Sequence, residues 1–285
     1  MKQETNNKPT ESGNVNIIYF TTKCNLNCTY CYEDLSNKAK KSTALDDLKK
    51  QVDDIISNEP VDKQTLFVLF GGEPTLEWVN VKSLVEYAYS KKKNSFFNLE
   101  TNGIKFQNDE FLLEFLDFFK DKPHSLDISF DGVGNNLRVD HKGNDSTEIL
   151  LSVLEKFKYI DMNWRIRYTI TKANVNNFAQ DVIKLSREFS PKRIITSEDS
   201  SGLDAGDYIV LNKQKRVLKY LWDNFDINIP ICNIFCETCD GCKSSKSEKK
   251  YYKDGVLVDT IDVSANQQEF NHFERKENTD DRNNK

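Results

Sequence analysis

Six short apolar runs alternate along this chain with stretches of helical periodicity, and that alternation constrains the fold more than any other feature. The strand-like runs are 15–22, 65–70, 95–101, 125–130, 163–171 and 192–196, rich in Ile, Val, Phe, Tyr and Thr. Between them lie apolar stripes. Leu45, Leu48, Val52 and Ile55 form the first, and Val81, Leu84, Val85 and Ala88 the second. Leu112, Phe115, Leu116 and Phe119 follow, then Leu150, Val153, Leu154 and Phe157. Phe178, Val182, Leu185 and Phe189 make the fifth and residues 211–225 the sixth. Spacing of three and four residues puts each stripe on one helix face, where it covers a sheet. Strand-then-helix repeats predict an α/β fold: a parallel sheet with right-handed crossovers, either open or curled into a partial (β/α)6 barrel. The length of 285 residues suits one such barrel or two ordinary domains.

In either form, sites gather at the C-terminal ends of the strands. Those ends are polar and glycine-rich here. Cys24, Cys28 and Cys31, spaced C-x3-C-x2-C, follow the first run. Gly71-Gly72-Glu73-Pro74 follows the second, Thr101-Asn102-Gly103 the third and Ser129-Phe130-Asp131-Gly132 the fourth. Thr171 and Asn174 follow the fifth and Glu198 the sixth. Arg165 and Arg167 alternate with Trp164, Ile166 and Tyr168, so both arginines share one face, either a lumen or a solvated edge.

The seven cysteines fall in two places only, the second being Cys232, Cys236, Cys239 and Cys242. A disulfide framework spreads its cysteines, and an odd number leaves one over. Two dense clusters point instead to metal binding in a reducing compartment. Three thiolates on one loop hold three corners of an iron–sulfur cubane and leave the fourth iron open to an outside molecule. The four-cysteine group closes a full shell, around either a second [4Fe-4S] cubane or Zn²⁺. A third arrangement frees one thiol and opens that cluster too.

The C-x3-C-x2-C loop, with Tyr30 before its last cysteine, resembles the signature of the radical S-adenosylmethionine (radical SAM) superfamily. Gly71-Gly72-Glu73-Pro74, Thr101-Asn102-Gly103 and Ser129-Phe130-Asp131-Gly132 resemble that superfamily's GGEP, TNG and S-x-D-G segments, in order and at successive strand ends. The resemblance covers about residues 15–196 and implies a partial barrel. It implies that Cys24, Cys28 and Cys31 hold a [4Fe-4S] cluster whose open iron takes the amino and carboxylate groups of S-adenosylmethionine. Reductive cleavage then gives a 5′-deoxyadenosyl radical that abstracts hydrogen from a substrate. Tyr30 would contact the adenine through its backbone, and Gly71, Gly72, Glu73 and Pro74 the amino group. Thr101, Asn102 and Asp131 fall in the cofactor-binding segments. Ser129 and Arg138 are candidates for the ribose or carboxylate end, with Arg167 competing for the carboxylate. A flavodoxin- or ferredoxin-type protein would supply the electron. The C-terminal cysteines resemble the SPASM and twitch auxiliary-cluster extensions of peptide-modifying members, although no cysteine follows Cys242.

The expected division is a disordered 1–14, a barrel over 15–226, a cluster extension with an Asp254-Gly255 hairpin over 227–270, and a disordered polar tail over 271–285. A net charge of −5 argues against general nucleic-acid or membrane-surface binding. No apolar run of about eighteen residues is present, and the polar start lacks a secretory core. A cytoplasmic protein is expected. The expected substrate is a peptide or protein side chain, undergoing crosslinking, epimerisation or oxidation. The alternatives are a small molecule or nucleotide, a glycyl-radical activase, and a non-catalytic zinc module. His124, His141 and His272 show no metal spacing and read as structural or surface residues.

Overall fold

A computed structural model describes residues 15–31, 41–199, 202–225, 231–232, 248–253 and 256–262. The expected strands form as β1 (Val15–Tyr19), β2 (Thr65–Phe70), β3 (Ser95–Thr101), β4 (His124–Ser129), β5 (Trp164–Ile170) and β6 (Arg193–Glu198). The helices between and after them are α1 (Leu45–Asn58), α2 (Trp78–Lys91), α3 (Asp109–Phe119), α4 (Thr147–Lys158), α5 (Phe178–Phe189) and α6 (Ala205–Phe225). Three short strands follow: β7 (Ile231–Cys232), β8 (Glu248–Lys253) and β9 (Val256–Asp262).

The sheet runs β7-β6-β5-β4-β3-β2-β1-β8-β9. From β1 to β7 each strand pairs in parallel with the next in sequence. Sequential order without a reversal, combined with right-handed crossovers, sends α1 to α5 to the same side of the sheet. A doubly wound sheet would reverse its order at a switch point. The choice left open by the alternating pattern is therefore settled in favour of the curled, partial-barrel form.

The helix side of the sheet carries the core. Ile18, Phe20, Phe67, Leu69, Phe97, Leu99, Ile128, Ile166 and Tyr168 join the helical stripes in one buried cluster. Trp78 packs there against the rings of Phe111, Phe115, Phe118 and Phe119. The side chain of Asn108 caps α3, accepting from the Phe111 amide at 2.9 Å.

The opposite side is ionic. Arg165 Nε lies 2.5 Å from Asp127 Oδ1, Arg167 Nη2 lies 2.6 Å from Glu100 Oε1, and Arg167 Nε lies 3.3 Å from Asp127 Oδ2. Both arginines thus point away from the helices, into the concave side. The acids are the deeper members: Asp127 is 1% exposed against 21% for Arg165 and 33% for Arg167.

The expected hairpin forms as β8 and β9, with a register irregularity at Tyr251 and Tyr252. No local pattern in the chain says where it docks. It lies on β1, with β8 parallel and Val15 opposite Lys249, and so covers an edge that would otherwise be unpaired. Cys232 lies in β7, paired with Ile195 of β6. Cys236, Cys239 and Cys242, the Asp254-Gly255 turn and both expected disordered ends lie outside the described residues. No helix among the described residues is long and apolar enough to cross a membrane.

Candidate active site

The cysteine loop leaves β1 and is held from three neighbouring loops. On the β2 side, the Gly72 amide donates to the Thr21 carbonyl at 2.7 Å and the Glu73 amide to the Lys23 carbonyl at 2.8 Å. These bonds bring the two loops so close that a Cβ on Gly72 would lie 2.8 Å from the Lys23 carbonyl carbon. Only glycine fits there.

On the β4 side, residues 137–141 run antiparallel along the loop. The Asn27 amide donates to the Val139 carbonyl at 2.7 Å and the Thr29 amide to the Leu137 carbonyl at 3.0 Å. His141 Nε2 lies 2.8 Å from the Cys24 carbonyl. This pairing was not legible in the sequence. Segment 137–141 has no strand-like pattern, and His141 reads there as a structural or surface residue.

The β3 side contributes Asn102. Its Nδ2 donates to Asn25 Oδ1 at 2.6 Å and lies 3.7 Å from Cys24 Sγ. Asn102 is held in turn by Glu73. That fully buried carboxylate accepts from the Asn102 amide at 2.7 Å, the Thr101 hydroxyl at 2.8 Å, and the Thr75 amide and hydroxyl at 3.0 and 2.6 Å. Burial raises the Glu73 carboxyl above the usual range, and these donors oppose the rise. Glu73 and Thr101 were expected against the cofactor. They bond each other inside the protein and tie the β2 loop to the β3 loop. Pro74 is buried at the start of a single 3₁₀ turn, Pro74–Glu77.

Asp131 organises the fourth strand end. Its Oδ1 accepts from the Thr169 amide at 2.7 Å. Its Oδ2 accepts the Tyr30 hydroxyl and forms an ion pair with Arg138 Nε at 2.7 Å. Arg138 Nη1 lies 3.8 Å from Cys28 Sγ, and its guanidinium carbon is 5.7 Å from the Tyr30 ring centre. Asn174, expected at the rim, braces Asp131 by donating to its carbonyl at 3.1 Å and to the Thr169 carbonyl at 2.9 Å. Glu198 is paired with Lys215 at 3.0 Å.

The two arginines expected to compete for a carboxylate therefore each hold one already. Arg138 holds Asp131; Arg167 holds Glu100 and Asp127. Arg167 does sit opposite Ser129 in the β4–β5 register, and Ser129 is half-buried there. The Tyr30 side chain is turned inward, leaving its backbone on the loop.

Cys24, Cys28 and Cys31 are free thiols, the first two half-buried and the third exposed. Burial pushes Cys24 up to about 11. Burial also raises Cys28, with Arg138 opposing. Both stay protonated at neutral pH unless a cation takes the thiolate charge. Among the described residues no three Cys, His, Asp or Glu side chains are gathered for one metal ion. A cubane asks for something else, three thiolates each bound to its own iron. The donor set fits that group. It has three unpaired thiols on one loop, N–H donors reaching two sulfurs, and a buried guanidinium beside them.

Comparison with known proteins agrees with the strand-end pattern. The family model for the radical SAM superfamily matches residues 18–180, and the chain belongs to that superfamily. A cysteine-type anaerobic sulfatase-maturating enzyme of Clostridium perfringens is 28% identical over 219 residues, covering 71% of this chain and 56% of that protein. The radical SAM cyclopropyl synthase TigE of Paramaledivibacter caminithermalis is 19% identical over 193 residues, covering 62% and 39%. The solved structure of native anSMEcpe with bound AdoMet superposes with a TM-score of 0.62 at 22% identity, covering 76% of this chain and 63% of that one. That likeness shows the fold. The chain spans less than two thirds of the length of each of these relatives.

Proposed function

We propose that this protein is a radical SAM enzyme acting on a peptide or protein side chain. Cys24, Cys28 and Cys31 hold a [4Fe-4S] cluster. Bound there, the cluster and S-adenosylmethionine supply reductive sulfonium cleavage and a carbon-centred radical able to take a hydrogen atom from the substrate. The chain's own residues orient. The Gly71-Gly72 backbone and Ser129 line the cofactor side of the rim. Glu73 and Thr101 fix Asn102 against Cys24, while Asp131 fixes Arg138 and Tyr30 against Cys28. The observation that carries this reading is convergence: the loops after β2, β3 and β4 all bond the cysteine loop, and two reach a sulfur.

The peptide class is supported by the relatives. One matures sulfatases by its name, and a solved anSMEcpe structure of this fold carries a Kp18Cys peptide. Cys232, Cys236, Cys239 and Cys242 form a second cluster in this reading, and a flavodoxin- or ferredoxin-type protein delivers the electron.

The test is anaerobic reconstitution with iron and sulfide, followed by dithionite and S-adenosylmethionine. Wild type is expected to form 5′-deoxyadenosine, and Cys28→Ala to fall to background. Equal yields from both would end the proposal. Deuterated peptides then test the substrate class: a true substrate passes deuterium into 5′-deoxyadenosine. If only deuterated small molecules do so, the peptide assignment fails.

A further inference from the structure

We infer that Asn102 and Arg138 set the reduction potential of the cluster by donating N–H groups to the sulfurs of Cys24 and Cys28. The inference rests on the proposed reading of those cysteines as ligands. It concerns what surrounds them.

Asn102 is fixed independently of the thiol. Its Oδ1 accepts the Ile104 amide at 3.1 Å, its own amide goes to Glu73 at 2.7 Å, and one Nδ2 hydrogen goes to Asn25 at 2.6 Å. The remaining Nδ2 hydrogen is available to Cys24 Sγ, 3.7 Å away. The Leu26 amide reaches the same sulfur at 3.4 Å. Arg138 is fixed by its ion pair with Asp131 at 2.7 Å, and its carbonyl accepts the Ser146 amide at 3.0 Å and hydroxyl at 2.7 Å. Its side chain is 10% exposed, and Nη1 is left for Cys28 Sγ at 3.8 Å. Neither donor turns away without breaking its other bonds.

One-electron reduction adds one negative charge to the cluster and takes up no proton. N–H donors on the ligand sulfurs and a nearby cation stabilise the reduced form more than the oxidised one, raising the potential. Partial burial strengthens the effect by lowering the local dielectric. Asp131 offsets part of the Arg138 charge, but its carboxylate is turned towards Arg138, Tyr30 and the Thr169 amide.

The experiment is an EPR-monitored redox titration of the reconstituted full chain, with iron content and far-UV circular dichroism on each sample. Asn102→Ser keeps an oxygen acceptor for Ile104, removes the Nδ2 donor and adds no charge. Arg138→Lys keeps a charge and loses the guanidinium N–H. Each is expected to retain the cluster and lower the midpoint. For Asn102→Ser the reduced-to-oxidised ratio at fixed potential should fall about tenfold, which for one electron is about 59 mV. Arg138→Lys should shift less than Arg138→Met. A retained cluster with unchanged midpoints overturns the inference. Should the variants lose the cluster, wild type alone decides. Its Fe–S(Cys) Raman stretches are expected to shift in D2O, and stretches that do not shift overturn the inference. Wild type that binds no iron instead overturns the proposed function itself.

Discussion

Two glycines near the site differ in what a methyl group would meet. Gly134 has φ +74° and open space around an added Cβ. Gly72 would drive a Cβ into the backbone of Lys23, one residue before the first cysteine. Gly134→Ala should therefore cost only the left-handed backbone penalty, about 1–2 kcal/mol. Gly72→Ala should cost more, roughly 3–5 kcal/mol, and displace the cysteine loop. Urea unfolding gives the two energies, and iron retention after reconstitution should fail in Gly72→Ala alone. Equal losses in both would contradict the close-approach account. His124 supplies a pH dependence. It packs between Phe115 and Phe119, with ring centres 6.0 and 4.8 Å away, and burial lowers its pKa despite a 2.8 Å contact with the Lys122 carbonyl. The unfolded chain then takes the proton more readily than the folded one. This contribution to stability is complete above about pH 6.5 and is lost as pH falls below it. Urea midpoints between pH 5 and 7.5 should fall with acid in wild type and fall less in His124→Gln. Parallel curves would remove His124 from the account.

At the scale of elements, the sheet has a protected middle and a hairpin-covered edge. β2 to β5 each have two long parallel neighbours, whereas β1 depends on β8 for its second partner. Amide hydrogen exchange should be slowest in β2 to β5. Deleting residues 248–262 should speed exchange over Val15–Tyr19 and leave β3 and β4 unchanged. Unaltered β1 protection would show that the hairpin does not cover that edge. These elements also mark what a sequence discloses. The strands and α1 to α5 were legible because the signals are local: period two or an apolar run for a strand, spacing of three and four for a helix. The hairpin turn was legible for the same reason, but its docking on β1 was not, since register between distant segments leaves no local trace. The site divides likewise. Cysteine spacing and the strand-end segments were visible. Their partners were not: Asn102 on Cys24, Arg138 on Cys28, His141 on the Cys24 carbonyl and Glu73 on the Asn102 amide all follow from how neighbouring loops close on one another. Arg165 and Arg167 were seen to share a face, and only Asp127 and Glu100 decide which.

For the whole molecule, folding and chemistry occupy different sides. The apolar core lies between the sheet and its helices, while the cysteine loop sits at the strand ends with Cys31 exposed. Replacing all three of Cys24, Cys28 and Cys31 by Ala removes no member of that core. The triple variant should keep its far-UV circular dichroism, and its stability without cofactor should fall by only about 0.5–3 kcal/mol from that of the unreconstituted wild type, since it loses half-buried sulfur acceptors but no core side chain. Ligand-linked stability should separate the two. A cofactor that binds only the folded chain adds about 2.7 kcal/mol at a hundred times its Kd. In a domain of this size that corresponds to a rise in Tm of roughly 5–10 °C. Reconstituted wild type should show this rise when S-adenosylmethionine is added, since the proposed function has the open iron of the cluster chelate it. The triple variant should show none, although its folded barrel is the same. An equal rise in both would place the cofactor somewhere other than on an iron held by the cysteine loop.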